Sequence, residues 1–103
     1  MRQVIIVRYK VKPELAHENE RLVRAVYDEL EHSAPAGLRY AAFTEDDGLS
    51  FVHFASIETD DGHNPLRELD AFKLFVANAS ERHDKPAVTT ELREIGSYRL
   101  FDQ

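Results

Sequence analysis

The apolar and polar positions of the chain follow two periods, and their order predicts strand, helix, strand, strand, helix, strand. The first segment, Gln3 to Val11, is a nearly continuous apolar run that is typical of a buried strand. The last segment, Val88 to Phe101, alternates around Leu92 and Tyr98, and Gly96 within it predicts a bulge or bend. Because the segments fill nearly all of the 103 residues, we expect one domain spanning the chain.

The first predicted helix begins at Pro13 and Glu14 and runs to about His32. Proline is tolerated in a first helical turn, where its missing N–H would have no partner, and an acidic side chain there suits the helix dipole. One face carries a stripe with steps of three and four: Leu15, Asn19, Leu22, Val23, Val26 and Leu30. The segment from Ala34 to Gly37 ends the helix, since proline disfavours helical geometry before it and glycine relieves the turn.

Two strands, Leu38 to Thr44 and Leu49 to Ile57, are predicted to pair as a hairpin. The connection ends in Asp47-Gly48, which supplies the positive φ that a tight antiparallel turn needs.

The second predicted helix begins with Asn64 as its cap and Pro65 in its first turn, and it gives way at Asp84 to Pro86. Its stripe is Leu69, Phe72, Val76, Ala79 and His83.

This order of elements favours an α+β fold: a ferredoxin-like, split β-α-β-β-α-β sandwich with an antiparallel sheet and both helices on one face. The first and third strands are apolar at both odd and even positions, so a second apolar face of the sheet needs a cover. An identical chain across a two-fold axis is the simplest cover. We therefore expect a homodimer through the open face of the sheet.

Composition excludes several classes of function. The balance of 13 Lys plus Arg against 19 Asp plus Glu gives a net charge of -6, which disfavours nucleic acid as a partner. Without cysteine the chain has no disulfide, thiolate metal ligand or cysteine nucleophile, and it fits a cytoplasmic location. The apolar run from Val4 to Val7 is too short for a signal core or a membrane span, so no membrane partner is expected.

Three sequence features together resemble the dimeric α+β barrel superfamily, and within it the antibiotic biosynthesis monooxygenase-like proteins. They are the opening Val4 to Glu14, Gly37-Leu38 at the start of a hairpin, and a second helix from Phe72 that ends in His83. The resemblance covers essentially the whole chain. It implies two sheets paired into a barrel, with a small aromatic or hydrophobic ligand held between helices and sheet. The activities it implies include cofactor-free oxidation of phenolic compounds, haem degradation and isomerisation.

The departures from the haem-degrading relatives are informative. Those proteins use an asparagine on the first strand and a tryptophan on the second helix, whereas this chain has Arg8 and Tyr9 on its first strand and no tryptophan. Haem degradation is therefore not expected. The histidine that closes the second helix carries over onto His83.

His83 and His53 are the candidate catalytic residues. His83 continues the apolar stripe of the second helix, and an imidazole there could take a proton from a phenolic or enolic substrate. The alternative is that it complements the helix dipole and bonds the last free carbonyls. His53 shares an apolar strand face, so it lines a pocket or is a buried residue with a satisfied hydrogen bond.

Several other side chains could form the wall of a flat ligand pocket. An amide within the first helix stripe could face such a pocket, or it could lie at the edge of the stripe in water. Phenol groups on the first and last strands could orient a ligand while phenylalanines stack on it. The candidate substrate-binding residues are Tyr9, Asn19, Phe72, Phe75 and Tyr98. The loop with Asp60, Asp61 and His63 matches no metal-ligand spacing, and no metal or other cofactor is expected.

The leading hypothesis is a cofactor-independent monooxygenase that acts on a small aromatic or polyketide-like compound, with His83 or His53 as the base. The alternative is a non-catalytic ligand-binding or stress-associated dimer with the same barrel, in which no histidine faces the ligand. Haem binding would instead need His83 to face a wide cleft. The sequence does not identify the substrate.

Overall fold

The computed structural model describes residues 2–100, which form a four-stranded antiparallel sheet with helices packed on one face. The strand order in the sheet is β2-β3-β1-β4. The elements are β1 (Gln3–Val11), α1 (Ala16–Ser33), β2 (Leu38–Thr44), β3 (Ser50–Ile57), α2 (Asp70–Ala77), α3 (Ala79–Arg82) and β4 (His83–Leu92). The predicted α+β, ferredoxin-like architecture is confirmed.

Helix α1 has the predicted apolar face. Asn19, Val23 and Val26 are its buried side chains, and the helix ends at Ala34, whose left-handed φ of 43° turns the chain while its N–H bonds the carbonyl of Leu30. A short 3-10 turn at Pro13–Leu15 precedes it, so the proline lies where no backbone donor is needed. Within residues 2–100, no helix is both long and apolar enough to cross a membrane.

The second helical region is shorter and more broken than the sequence predicts. A 3-10 turn at Pro65–Glu68 leads into α2, and Asn78, with φ -123° and ψ 29°, separates α2 from α3. The predicted stripe is therefore only partly right: Leu69 is buried, whereas Val76 is largely exposed and Phe75, outside the stripe, is buried.

The predicted last strand is present, but its predicted bounds, Val88 to Phe101, are wrong. β4 begins at His83 and ends at Leu92, because it pairs with β1 from Val11↔His83 to Val4↔Leu92. Pro86, read in the sequence as a breaker, is tolerated because β4 is an edge strand and its register is irregular near that point. Gly96 lies beyond the strand and makes no bulge in it, and Phe101 is outside the described residues.

The two faces of the sheet have different surroundings. Toward the helices, Tyr9, Val11 and Phe51 are buried together with Val26 and Phe75 in one core. The other side, here called the open face, presents the apolar side chains of Val4, Ile6, Val52, Phe54, Val88 and Leu92. Val88 on it is 61% exposed in the single chain.

Gly37 should be the least replaceable glycine, because two constraints act there at once. Its φ is +79°, and an added Cβ would lie 2.8 Å from the Thr59 Cγ2 atom and 3.1 Å from the Thr59 backbone nitrogen. Gly48 is a matched control, with φ +68° but open space around the Cβ position. We expect Gly48→Ala to lower the free energy of unfolding by about 1–2 kcal/mol, and Gly37→Ala to lower it further. Chemical denaturation measures both, and an equal loss in the two variants would show that the contact with Thr59 is immaterial.

Candidate functional site

A cavity of about 200 Å³ lies between the helix side of the sheet and the α2–α3 region. Its apolar wall is formed by Ile5, Val7, Ala55, Leu66, Phe72 and Phe75. A few polar side chains interrupt this wall: Tyr9, Tyr40, His53 and His83. A dry, mostly apolar cavity of about 150 Å³ can already hold benzene, so this one suits a flat compound of one or two rings.

The sheet register places the polar side chains. Tyr9 on β1 lies directly opposite Phe51 on β3, and their rings stack at 5.5 Å between centroids. His53 is two residues further along β3, so it projects from the same face. Tyr40 on β2 pairs with Ala55 and therefore lies diagonal to His53.

These side chains join one buried chain of hydrogen bonds, here called the hydrogen-bond chain. Arg82 Nε donates to Asn19 Oδ1 at 3.0 Å, and Asn19 Nδ2 donates to the Tyr9 hydroxyl oxygen at 2.9 Å. The Tyr9 hydroxyl lies 2.8 Å from His53 Nε2, and the Tyr40 hydroxyl lies 2.6 Å from His53 Nδ1. Asn19 is completely buried, which settles its place inside the fold rather than at a wet helix edge.

Arg82 is a buried cation that has no carboxylate partner within residues 2–100. Its Nη2 atom donates to the carbonyl oxygen of Phe75 at 2.5 Å, and its guanidinium carbon lies 5.3 Å from the centroid of the Phe75 ring. The side-chain amide of Asn19 and the carbonyl and ring of Phe75 thus replace the water that the guanidinium loses on burial. Glu18 interacts with this charge from beyond ion-pair distance, and the charge also favours negative charge on the neighbouring Tyr9 hydroxyl.

Burial keeps the hydrogen-bond chain neutral beyond Arg82. It lowers the pKa of His53 to about 4 and raises the pKa of Tyr9 to about 12. Burial also raises the pKa of Tyr40. His53 is therefore uncharged at neutral pH, and its two ring nitrogens face tyrosine hydroxyls. It cannot take a proton from a ligand directly, because neither nitrogen is open to the cavity.

His83 differs from His53 in this respect. It is half-buried and is both the C-cap of α3, at the end of the second helical region as the sequence predicts, and the first residue of β4. Its ring centroid lies 4.7 Å from that of Tyr9. Its ring nitrogens have no hydrogen-bond partner within the described part of the chain. Burial, and then the charge of Arg82, lowers the pKa of His83. The result is a neutral imidazole with free nitrogens on the wall of an apolar cavity.

Most of the candidate residues meet at this site. Those that line the cavity are Tyr9, His53, Phe72, Phe75 and His83, and Asn19 reaches it through Tyr9. Tyr98 does not belong to this group. It lies beyond the end of β4, is 83% exposed, and stacks against the guanidinium of Arg99.

Sequence reasoning missed Tyr40 and Arg82. A signal for Tyr40 was present, since the Asp47-Gly48 turn fixes the hairpin register and brings residue 40 beside His53. No comparable signal exists for Arg82. Arg82 lies two helical turns after the buried Phe75, but an arginine at such a position gives no indication in the sequence that it is buried.

The remaining polar clusters pair internally. His63 lies 2.6 Å from Asp61, which raises the pKa of the histidine, and no group of three or more His, Cys, Asp or Glu side chains suited to a metal occurs in residues 2–100. A polar depression of about 560 Å³ on the open-face side contains the ion pairs Arg2–Glu94 and Arg39–Glu58.

Comparisons with known proteins support the fold. No protein-family model matches the chain, and no curated protein matches its sequence. Solved structures do match it. Rv0793 from Mycobacterium tuberculosis superposes with a TM-score of 0.76 at 19% identity, over 94% of this chain and 98% of that one.

Two further matches have informative descriptions. A structure described as an antibiotic biosynthesis monooxygenase has a TM-score of 0.74 at 15% identity, over 93% of this chain and all of the other. A variant of SnoaB, a cofactor-independent oxygenase from Streptomyces nogalater, has a TM-score of 0.68 at 13% identity, over 93% and 95%. The chain therefore has the fold of the antibiotic biosynthesis monooxygenase-like proteins, as the resemblance in its sequence indicates.

The buried neutral His53 should make stability depend on pH. Its pKa is about 4 in the folded chain and 6.5 for an ordinary histidine, so between these values only the unfolded state gains the proton. The stabilisation is complete above 6.5 and is lost as the pH falls toward 4, by about 3 kcal/mol. Denaturation of the wild type and of His53→Gln across this range isolates the effect, because other groups titrate in both. Parallel curves would show that His53 is not buried as a neutral ring.

Proposed function

We propose that the protein is a cofactor-independent monooxygenase that acts on a small aromatic or polyketide-like compound bound in the cavity between helices and sheet. The observation that carries this proposal is the neutral, unpartnered imidazole of His83 on the wall of an apolar cavity. A general base needs an accessible nitrogen and a pKa near or below the working pH. His83 has both, whereas His53 has its nitrogens occupied by tyrosines.

In the proposed reaction, His83 takes an acidic proton from carbon or oxygen of the bound compound. The apolar walls, with Phe72 and Phe75 against the ligand, exclude water that would otherwise solvate and quench the anion. The positive charge of Arg82, which is hydrogen-bonded to Tyr9 through Asn19, favours negative charge near this end of the cavity. His83 and its surroundings thus help to form an electron-rich anion and protect it.

The anion itself supplies the electrons for oxygen. One-electron transfer to O₂ and radical recombination form a C–O bond, and a proton converts the product into a hydroperoxide. Loss of water then leaves a carbonyl group. A CH₂ group and O₂ thus become C=O and H₂O, so that one oxygen atom enters the product and the other is reduced to water.

The alternative, a non-catalytic ligand-binding protein, uses the same cavity without a base. It predicts binding with no exchange of the ligand's acidic hydrogen. The position at the cavity of His83, whose ring nitrogens have no hydrogen-bond partner within residues 2–100, supports the catalytic hypothesis. The small volume does not support haem binding, which would need a wide cleft at His83.

We further propose that two copies pair through the open face. Its apolar side chains, of which Val88 is the most exposed, would otherwise face water. The ion pair Arg39–Glu58 lies at the β2 edge of this surface. Arg8 lies within the surface, opposite Val52 and Val88 in the register, and forms an ion pair with Glu45. Apolar side chains together with arginine are typical of a protein interface.

Replacement of His83 should abolish proton abstraction and leave binding intact. 2-Tetralone is a suitable probe, because it is a flat two-ring ketone with an acidic CH₂ between ring and carbonyl. We expect the wild type to catalyse exchange of this hydrogen with deuterated water and to consume oxygen, and His83→Gln to lose at least about 100-fold of both rates. Binding of 2-tetralone, measured without oxygen, should change little.

The pH profile adds a second check on His83. Because its pKa is lowered from 6.5, kcat/KM should fall only at a pH below that value, as the base becomes protonated. Binding without exchange in the wild type would instead support the non-catalytic alternative.

Charge on the open face should separate the proposed dimer. Val88→Glu places a carboxylate in the apolar contact, whereas Leu74→Glu makes the same kind of change at a side chain on α2 that is 66% exposed. By light scattering after size exclusion, we expect twice the mass of one chain for the wild type and for Leu74→Glu, and a single chain for Val88→Glu. A monomeric wild type would contradict the proposal.

A further inference from the structure

The hydrogen-bond chain has a direction, because one of its ends can only donate. A guanidinium has no acceptor, so Arg82 must donate to Asn19 and the amide must turn its Oδ1 atom toward it. The NH₂ group of Asn19 is then the donor to the hydroxyl oxygen of Tyr9. The orientation of the amide thus follows from its neighbour.

Two arrangements of hydrogens remain beyond Tyr9. In the first, Tyr9 donates to His53 Nε2, His53 Nδ1–H donates to Tyr40, and the hydroxyl hydrogen of Tyr40 is left over. In the second, Tyr40 donates to Nδ1, Nε2–H donates to Tyr9, and the hydroxyl hydrogen of Tyr9 is left over. A doubly protonated ring is excluded at neutral pH, because burial opposes its charge.

The surroundings of the two hydroxyl groups favour the first arrangement. In the second, the buried Tyr9 oxygen would accept two hydrogen bonds, and its own hydrogen would have no acceptor within residues 2–100. A buried donor without a partner loses its hydration and gains nothing in return. Both tyrosines line the cavity, but Tyr40 is less completely buried, and its hydroxyl has one hydrogen-bond contact where that of Tyr9 has two. The hydroxyl hydrogen of Tyr40 is therefore the one with room to reach a water molecule or a ligand.

We propose that Arg82 sets this direction, so that Tyr40 offers its hydroxyl hydrogen to the cavity and the cavity selects ligands that present an acceptor oxygen: a ketone, quinone or phenolate oxygen. This inference rests on the proposed function only for the claim that the ligand reacts. When His83 removes a proton from carbon beside a carbonyl, the C–H electron pair moves into the C–C bond and the carbonyl oxygen becomes an enolate. Tyr40 then donates to the oxygen on which charge develops.

Tyr27 is the neighbour that could act in place of Tyr40. Its ring stacks on that of Tyr40 at 5.2 Å between centroids, and its buried hydroxyl has no hydrogen-bond partner in the described part of the chain. It does not line the cavity, however. Tyr27→Phe is therefore the matched control for Tyr40→Phe, since each removes one phenol oxygen from the same stacked pair.

The direction of the hydrogen-bond chain can be measured in the unmodified protein. The ¹⁵N chemical shifts of the His53 ring at neutral pH report which nitrogen carries the hydrogen. We expect it on Nδ1, and a hydrogen on Nε2 would overturn the proposal. In Arg82→Gln, whose side chain can donate or accept, we expect a mixture of both tautomers. An unchanged tautomer in a folded Arg82→Gln variant would show that Arg82 does not set the direction.

The selectivity can be measured with 2-tetralone and tetralin, which differ mainly in the carbonyl oxygen. By NMR titration without oxygen, we expect the wild type and Tyr27→Phe to bind the ketone about tenfold more tightly, which corresponds to about 1.4 kcal/mol. In Tyr40→Phe the ratio of the two affinities should fall to about one, and the affinity for tetralin should change little. Equal binding of the two compounds by the wild type, binding of neither, or loss of the preference in Tyr27→Phe would contradict the proposal.

These results are separable from those that test the proposed function. A preference for the ketone without hydrogen exchange would support the role of Tyr40 and contradict catalysis. Hydrogen exchange that depends on His83, without a preference for the ketone, would support catalysis and contradict the role of Tyr40.

Discussion

The need to pair buried polar groups is the constraint on which the rest of this structure depends. Tyr40, His53, Tyr9, Asn19 and Arg82 lie on β2, β3, β1, α1 and α3, and each satisfies its neighbour inside the core. A shift of one residue in any strand would turn a tyrosine or the histidine toward the open face. The hydrogen-bond chain therefore fixes the strand register as well as the polar end of the cavity.

The hydrogen-bond chain gives the two histidines at the cavity different roles. His53 is fully engaged by tyrosines, so it is a structural and directing group with a lowered pKa. His83 lies beside the hydrogen-bond chain without being part of it, and it lines the cavity with ring nitrogens that have no hydrogen-bond partner within residues 2–100. An apolar pocket with one available base and one directed donor is suited to forming an anion from a weak carbon acid. That chemistry needs exclusion of water more than it needs a cofactor.

Much of the fold could be predicted from the sequence, because its signals are local. The α1 stripe through Val23 and Val26 and the Asp47-Gly48 turn each depend on a few neighbouring residues. The C-terminal third could not be predicted in the same way. There, pairing with β1 overrides the helical periodicity near His83 and the breaker signal of Pro86, and this pairing joins residues far apart in sequence.

Prediction of the site from the sequence has the same limit. Tyr9, His53, Phe72, Phe75 and His83 could be selected as polar or aromatic positions on buried faces, since that property follows from periodicity. The partnership between Arg82 and Asn19 spans α3 and α1 and leaves no pattern in the sequence. Tyr98 was misassigned for the related reason that its alternation with Leu100 has no partner strand to pair with in residues 2–100.

A crystal structure of the protein with 2-tetralone bound under anaerobic conditions is the most direct test of the account. We predict that the ligand ring lies against Phe72 and Phe75, with the carbonyl oxygen at the Tyr40 hydroxyl. The acidic carbon should lie beside a ring nitrogen of His83, about 3–3.5 Å away, as near-attack geometry requires. A ligand bound in this cavity with its acidic carbon turned away from His83, or bound only on the open face, would contradict the central claim that His83 is the base.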